Sequence, residues 1–335
     1  MRKDTYQSHR RRALRGLVGC LALCIGGGML SEALGAEASY PSKPIRFIIP
    51  FPPGSGAEVS ARFIGQKLTE LTGQSVIVEP RGGGNGFIAI QAVLSAPRDG
   101  YTIFFGSNST LATNVALFRK LPYDPLTDFV PISLVIRSPI LLLVPTNSPY
   151  KTLGDLIEAA KLDPGKLTIG SGSAGYQLMG ALFGEKAAVQ LLPVPYKSAP
   201  DTVKAVLSGE VSLGIADVTS SMSLVSSGRV RALAVATEKR LPGAPEIPTA
   251  VELGVAEFTT APWNGAVAPA GVPKPIVDKL SDLFLRILAM PDTIEYFAKQ
   301  NVEVMRGGQD LMRTFQREEI ERWKRIATAA KVELQ

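Results

Sequence analysis

Residues 45–58 read IRFIIPFPPGSGAE, and this stretch decides the fold of the chain. Ile45–Phe51 is a run of β-branched and aromatic residues of the kind that forms a buried strand, and Pro52 and Pro53 end it. A helix is predicted to follow from about Ala57 to Leu71, because its apolar residues recur on one helical face. A buried strand, a tight turn and a helix in this order indicate an α/β sheet.

The same alternation of strand and helix continues along the chain. Further apolar runs predict strands at 75–78, 102–105, 141–144, 167–169, 190–194, 213–216 and 231–236. Helices are predicted at 176–187 and 201–207, and Thr152 with Asp155 forms a capping-box-like helix start. Two more helices, one opening at Pro275 and one from Gly308 to about Ala330, show no strand after them. We therefore expect a largely parallel α/β protein with these last two helices packed outside the sheet.

The first 38 residues differ from the rest of the chain. A basic segment from Arg2 to Arg15 precedes an uncharged, mostly apolar run, Gly16 to Leu30, and a small-x-small cleavage site at Ala36-Glu37-Ala38. This order predicts a cleavable signal peptide and export to the periplasm, by the general or the twin-arginine route. An uncleaved anchor is the alternative, but the apolar run is shorter than the ~20 residues of a membrane span. A lipoprotein site at Cys20 is rejected, because too little apolar sequence precedes it.

Composition excludes several classes of function. The chain has 335 residues, of which 45% are apolar and 20% charged, and this suits a globular protein of two domains. Once residues 1–38 are set aside, 30 basic and 27 acidic residues remain, so nothing calls for a nucleic-acid partner. His9, Cys20 and Cys24 are the only His and Cys residues, and all lie in the predicted signal peptide. The exported protein would therefore lack Ser-His-Asp and Cys-His catalysis, zinc sites and disulfides, and we expect neither an enzyme nor a cofactor.

Four loops rich in Gly, Ser and Thr follow predicted strands, at 51–58, 106–110, 170–176 and 217–221. Ligands of open α/β sheets bind at the carboxyl ends of strands. These loops offer backbone and hydroxyl donors with few charges, which favours an anion-binding cleft without catalytic machinery. Tight turns that bind no ligand are the alternative for the first two. Gly170-x-Gly172-x-x-Gly175 has dinucleotide-binding spacing, but the next strand ends without the acidic residue that binds ribose, so nucleotide binding is not predicted.

Three larger side chains near these loops have two interpretations each. Glu58 either favours the positive end of its helix or contacts ligand. Asp217 either caps a local turn or belongs to the site, and Trp263 either lines the cleft or packs in the core. Trp323 lies on an apolar helical face, which is typical of the core.

Several motifs, taken together and in order, carry a family resemblance. They are Tyr40-Pro-Ser-Lys-Pro-Ile45, Pro50-Phe-Pro-Pro-Gly54, Lys120-Leu-Pro-Tyr-Asp-Pro125, Val194-Pro-Tyr-Lys197, Arg229-Val-Arg-Ala-Leu-Ala-Val235 and Ala268-Pro-Ala-Gly271. Over essentially all of the chain after residue 38, the sequence resembles the Bug-type periplasmic solute receptors of tripartite tricarboxylate transporters.

The resemblance implies a two-lobed periplasmic-binding-protein type II fold, each lobe a mostly parallel sheet flanked by helices. Two crossings between lobes are expected near 142–148 and 234–241, so that residues 39–141 and 242–335 form lobe 1 and residues 142–241 form lobe 2. A small organic carboxylate would lie between the lobes, and two membrane permease subunits would receive it from a monomeric receptor. A binding protein of another transport system, or a sensor that signals to a membrane kinase, is the alternative.

Carried onto this sequence, the resemblance implies a set of ligand-binding residues in the four loops. They are Phe51, Pro53, Gly54, Ser55, Gly56, Glu58, Ser107, Asn108, Ser109, Thr110, Ser171, Ser173, Ala174, Gly175, Gln177 and Asp217. The chain departs from the family pattern at Ser55 and Glu58, which replace Gly and Asp, and at Asn85-Gly86-Phe87, where Gly-Gly-Asn is frequent. It departs again in a 170–177 loop that is two residues shorter, with Gln177 where His is common. Because of these departures, the resemblance does not specify which carboxylate the protein binds.

Overall fold

Two β-sheets organise the chain in a computed structural model, which describes residues 40–335. The strands are β1 (Ile45–Ile49), β2 (Val76–Pro80), β3 (Thr102–Ser107), β4 (Phe129–Arg137), β5 (Ile140–Pro145), β6 (Thr168–Ser171), β7 (Leu192–Pro195), β8 (Leu213–Asp217), β9 (Val230–Val235), β10 (Trp263–Pro269) and β11 (Glu303–Gly307). The helices are α1 (Gly56–Thr72), α2 (Phe87–Leu94), α3 (Asn114–Leu117), α4 (Leu153–Leu162), α5 (Ala174–Lys186), α6 (Ala199–Ser208), α7 (Val218–Ser226), α8 (Lys274–Ala289), α9 (Pro291–Ala298) and α10 (Gln309–Ala329).

Each sheet is mixed, and both belong to one compact unit, Lys43–Gln335. The first sheet has the order β11-β4-β10-β3-β1-β2, with β1 parallel to β2 and β3 and the other pairs antiparallel. The second has the order β7-β6-β8-β5-β9, in which β5 runs antiparallel to both neighbours. The prediction of an α/β fold with two helix-flanked sheets is confirmed, but the sheets are less parallel than expected. Every antiparallel pair involves β5, β10 or β11, and the remaining pairs are parallel.

The chain passes between the sheets twice, and we call these two segments the crossings. The first lies between Arg137 and Ile140, a few residues before the expected range of 142–148, which falls in β5 and the turn after it. The second leaves β9 at Val235 and enters the first sheet at Trp263. The two crossings are hydrogen-bonded to each other, since the amide of Ser138 donates to the carbonyl of Pro262 at 2.9 Å.

The helix starts follow the sequence closely. The hydroxyl of Ser55 caps α1, whose buried face includes Ala61, Ile64 and Leu68, as the apolar spacing predicts. Thr152 and Asp155 form the capping box expected at the start of α4. Both predictions are confirmed. The sequence could predict these features because a helix cap and a helical period each depend on residues close together in the chain.

Strands β4, β10 and β11 were not predicted. Strand β11, with the sequence EVMRG, is a largely exposed edge strand, and it contradicts the expectation that no strand follows the helix opening at Pro275. Strand β10, with the sequence WNGAVAP, contains Asn, Gly and Pro, which are depleted in strands. Antiparallel partners in the sheet hold such weak sequences as strands.

Within residues 40–335, no helix combines the length and the hydropathy that a membrane span requires. The predicted signal peptide, residues 1–38, lies outside the described residues.

Candidate ligand-binding site

A cavity of about 40 Å³ lies between the two sheets. It is bounded by the ends of β1, β3 and β8, by the starts of α1 and α7, and by both crossings. Its lining residues are Phe51, Ser55, Gly56, Ala57, Ser107, Asn108, Ile136, Ser138, Tyr176, Ala199, Asp217, Thr219, Pro262, Trp263 and Asn264. Asp217 is the only charged residue among them.

The start of α1, at Gly56 and Ala57, lines this cavity. Because the first amides of a helix have no partner within it, those of Gly56 and Ala57 depend on an outside acceptor. No acceptor for either is present among residues 40–335. These two donors, together with the partial positive charge of the helix start, make this wall of the cavity attractive to an anion.

Glu58 acts at the helix start and does not line the cavity. Its carboxylate accepts the amide of Gly54 at 3.2 Å and forms an ion pair with Arg62 one turn along the helix. Its own amide donates to the hydroxyl of Ser55 at 3.3 Å. The structure therefore favours the helix-start interpretation of Glu58. The amide of Gly54 is consequently already paired.

Two buried side chains offer further donors with no acceptor. Asn108 is 2% exposed and Ser138 is 8% exposed, and both line the cavity. Among the described residues, the Asn108 Nδ2 atom and the Ser138 Oγ atom have no hydrogen-bond partner. Both atoms are therefore available to donate to an acceptor outside the described chain.

Asp217 has its carboxylate occupied by donors of the second sheet. It accepts the Tyr176 hydroxyl at 2.7 Å, the Ser220 amide at 2.9 Å and the Ser220 hydroxyl at 3.0 Å. It is also the N-cap of α7. Burial, reinforced by the charge of Asp217, raises the pKa of Tyr176 well above its usual range, so its hydroxyl stays protonated and donates. Asp217 is thus a cap that also lines the cavity.

A second cavity, of about 210 Å³, adjoins the first at Phe51. On the side of the first sheet its lining includes Gly83 to Gly86, and on the side of the second sheet it includes Gly172 to Ala174. Lys197 is the only charged residue in this lining. Tyr196 lies beside it, and burial, with a hydrogen bond to Glu210, raises the pKa of Tyr196 to about 12. The second cavity therefore carries a cation where the first carries none.

Ser109 joins the two sides of the cleft directly. Its hydroxyl donates to the Ser173 hydroxyl at 3.1 Å and accepts the amide of Gly175 at 3.1 Å. A Cβ atom at position 175 would lie 2.4 Å from the Asn108 Nδ2 atom, so the close approach of α5 to this loop requires glycine. The described conformation is a closed cleft, in which polar side chains of one side touch backbone of the other.

The structure brings most of the predicted residues to one cleft. Phe51, Ser55, Gly56, Ser107, Asn108 and Asp217 line the first cavity, and Ser109, Thr110, Ser173 and Ala174 line the second. Gly175 lies between them. Pro53, Gly54 and Glu58 line neither cavity.

Ser171 and Gln177 lie elsewhere, in a groove shared with residues 329–333. Because successive residues of a helix turn by about 100°, Tyr176 points into the cleft and its neighbour Gln177 points away. The sequence interpretation missed Ile136, Ser138, Ala199, Pro262 and Asn264, which lie outside the four predicted loops, and it did not single out Ala57, Tyr176 and Thr219 within them. Several of these lie next to the crossings. If the first crossing had been predicted a few residues nearer the N-terminus, it would have included Ser138. Trp263 belongs to both the core and the cleft wall.

Two sheets joined by two crossings, with a donor-rich cavity between them, define a solute-binding protein of the periplasmic-binding type. The chain matches the family model described as "Tripartite tricarboxylate transporter family receptor" over residues 60–332, and it belongs to this family. It is 32% identical to protein BugT of Bordetella pertussis over 321 residues, covering 94% of this chain and 98% of the relative. The Bug-type resemblance is therefore confirmed.

Two solved structures with ligands are similar to the chain. One is R. palustris Rpa4515 with adipate, at a TM-score of 0.85 and 32% identity, covering 88% of this chain and 100% of that one. The other is MatC (Rpa3494) from Rhodopseudomonas palustris with bound malate, at a TM-score of 0.80 and 28% identity, covering 86% and 99%. Because the family consists of transport receptors, the prediction that the chain is not an enzyme is confirmed.

No cluster of three or more His, Cys, Asp and Glu residues in the described part of the chain is arranged to hold a metal ion.

The role of Asp217 generates a stability prediction. Asp217→Ala removes the cap of α7 and leaves the buried Tyr176 hydroxyl without an acceptor, so we expect it to lower the free energy of unfolding by about 2–4 kcal/mol. Asp217→Asn keeps one acceptor oxygen and should cost less than half of that. Ser198→Ala, which removes the cap of α6, is the matched control, expected to cost about 1 kcal/mol. Chemical unfolding measures all three, and equal losses for Asp217→Ala and Ser198→Ala would contradict the assignment.

Proposed function

We propose that the protein is a periplasmic receptor that closes two lobes around a small organic carboxylate and delivers it to the membrane permease of a tripartite transporter. The observation that carries the proposal is the set of donors without acceptors in the first cavity. They are the amides of Gly56 and Ala57, the Asn108 Nδ2 atom and the Ser138 Oγ atom. Carboxylate oxygens accept several hydrogen bonds each and therefore suit this set.

Hydrogen bonds can hold such an anion without a paired cation. Each hydrogen bond to a charged group is worth about 1.5–3 kcal/mol, and the helix start supplies about half a positive charge. Asp217, the only charged residue of the first cavity, already accepts three hydrogen bonds, which spread its charge towards the second sheet. This arrangement supports binding of a carboxylate beside a carboxylate.

The adjoining cavity supports ligands that carry a second acidic group. In our proposal, the first carboxylate takes the start of α1 and a second one extends past Phe51 towards Lys197. The bound adipate and malate of two related receptors are both dicarboxylates, which is consistent with this direction.

The lobes of the proposal correspond to the two sheets. The first lobe contains β1–β4, β10 and β11, and the second contains β5–β9, with boundaries at the two crossings. Bending at the crossings would open the cleft, and the Ser109 contacts would re-form on closure. Membership of the receptor family supports a periplasmic location, a cleaved leader and a partnership of the monomer with two permease subunits.

A thermal-shift screen across organic acids tests the proposed function. Ligand at about 100 times its Kd stabilises a protein by about 2.7 kcal/mol, so at least one mono-, di- or tricarboxylate should raise the Tm of the mature protein by several degrees. Sugars and cationic amines at the same concentrations serve as controls. If only these controls raise the Tm, the protein is not a carboxylate receptor.

Gly56 generates a second prediction, on affinity. A Cβ atom there would lie 2.8 Å from Asp217 Oδ1 and 3.3 Å from Thr219 Cβ, so Gly56→Ala obstructs closure of α1 on the second lobe. We expect the Kd for the carboxylate to rise about ten-fold or more, which corresponds to about 1.4 kcal/mol. Gly154→Ala, where the nearest atom is 3.6 Å away, is the matched control and should leave the Kd unchanged. Calorimetry measures both, and equal affinities of the two variants would place the ligand away from α1.

A further inference from the structure

We infer that Glu319 is a positioning residue for ligand binding, which holds the Trp263 indole as the wall of the ligand cavity beside the crossings. The inference rests on the proposed function, since it assigns a role at the same cavity. It starts from the location of Trp263, the first residue of β10, which pairs with Arg137 at the end of β4. Trp263 thus lies where the second crossing ends, beside the point where the first begins.

The Trp263 side chain separates two spaces. On one side it lines the first cavity next to Ser138 and Pro262. On the other side it lines a groove of about 480 Å³, together with Thr260 and Glu319. Trp263 is only 1% exposed, so any change in the orientation of its ring changes the shape of the ligand cavity.

The Glu319 carboxylate fixes that orientation. Its Oε2 atom accepts the indole N–H of Trp263 at 3.0 Å and that of Trp323 at 3.0 Å, and its Oε1 atom accepts from Arg322 at 3.1 Å. Glu319 is 6% exposed, and burying a carboxylate is unfavourable unless it is well paired. Apolar packing alone would fill this space, but it would not select which way the indole points. A directional acceptor does select it.

Helix α10 is hydrogen-bonded to the second crossing at two points. Besides the bond from Trp263 to Glu319, Arg322 donates to the carbonyl of Thr259 at 3.0 Å. Phe315 of the same helix meets the Trp263 ring edge-on, with ring centroids 5.1 Å apart. The end of this crossing is therefore attached to α10, and Glu319 is the contact nearest to the ligand cavity.

A double-mutant cycle tests the inference with adipate and malate as probes. In the wild-type background, Glu319→Ala should raise the Kd about ten-fold or more, whereas Glu319→Gln, which keeps an acceptor oxygen, should stay within about three-fold of wild type. The matched control is Glu318→Ala, an exposed neighbour on α10. In a Trp263→Phe background the indole N–H is absent, so the effect of Glu319→Ala on the Kd should largely disappear.

Additive effects in this cycle, or an unchanged Kd for a folded Glu319→Ala variant, overturn the inference. If Glu319→Ala does not fold, Glu319→Leu, which fills the space but offers no acceptor oxygen, replaces it in the cycle, and additivity there has the same meaning.

Fluorescence provides a readout that needs no ligand. The chain has two tryptophans, so Trp323→Phe leaves Trp263 as the only one. Acrylamide quenching of Trp263 should be weak in this background and several-fold stronger once Glu319→Ala is added, while Glu318→Ala should leave it unchanged. Unchanged quenching in the Glu319→Ala variant overturns the inference. If neither probe binds the wild type but the quenching changes as expected, these two acids are not ligands of the protein and the positioning of Trp263 by Glu319 stands.

Discussion

Buried donors without acceptors are the constraint on which this structure depends. A folded chain pairs almost all of its buried polar groups, because an unpaired one loses its bonds to water and gains nothing in return. Here the amides at the start of α1 and the side chains of Asn108 and Ser138 meet in one cavity without partners from the described chain. These donors come from loops that lie far apart in sequence, and the two sheets bring them together.

The carboxylates near the cleft explain why those donors remain available. Glu58 and Asp217 could each have occupied them, but each is held by its own helix start or its own sheet. Asp217 reaches the cavity with its lone pairs already engaged, and Tyr176 stays protonated to engage one of them. The acidic side chains thereby support the walls and leave the donors of the cavity unpaired within the described chain. The Ser109 hydroxyl contacts the backbone of the opposite side at Gly175, a contact that the proposed closure would form.

Local features of the fold could be predicted from the sequence, and long-range ones could not. The strand and helix around Ser55 and the capping box at Thr152 follow from spacing and caps that lie within one turn of chain. Strand β11 has no apolar alternation, and only its antiparallel partner makes it a strand.

The candidate site divides in the same way. Loops after parallel strands converge by topology, so Gly56, Asn108 and Ser173 could be named in advance. Which of Tyr176 and Gln177 faces the cleft depends on the rotational position of each residue around its helix. Ser138 and Trp263 reach the site only because the two crossings pair with each other.

A crystal structure of the mature protein with adipate or malate tests the account most directly. The account predicts ligand electron density in the first cavity, with a carboxylate oxygen within 3.2 Å of the Asn108 Nδ2 atom, the usual limit for such a bond. Ligand density in any other cavity, with this one filled by water alone, would contradict it.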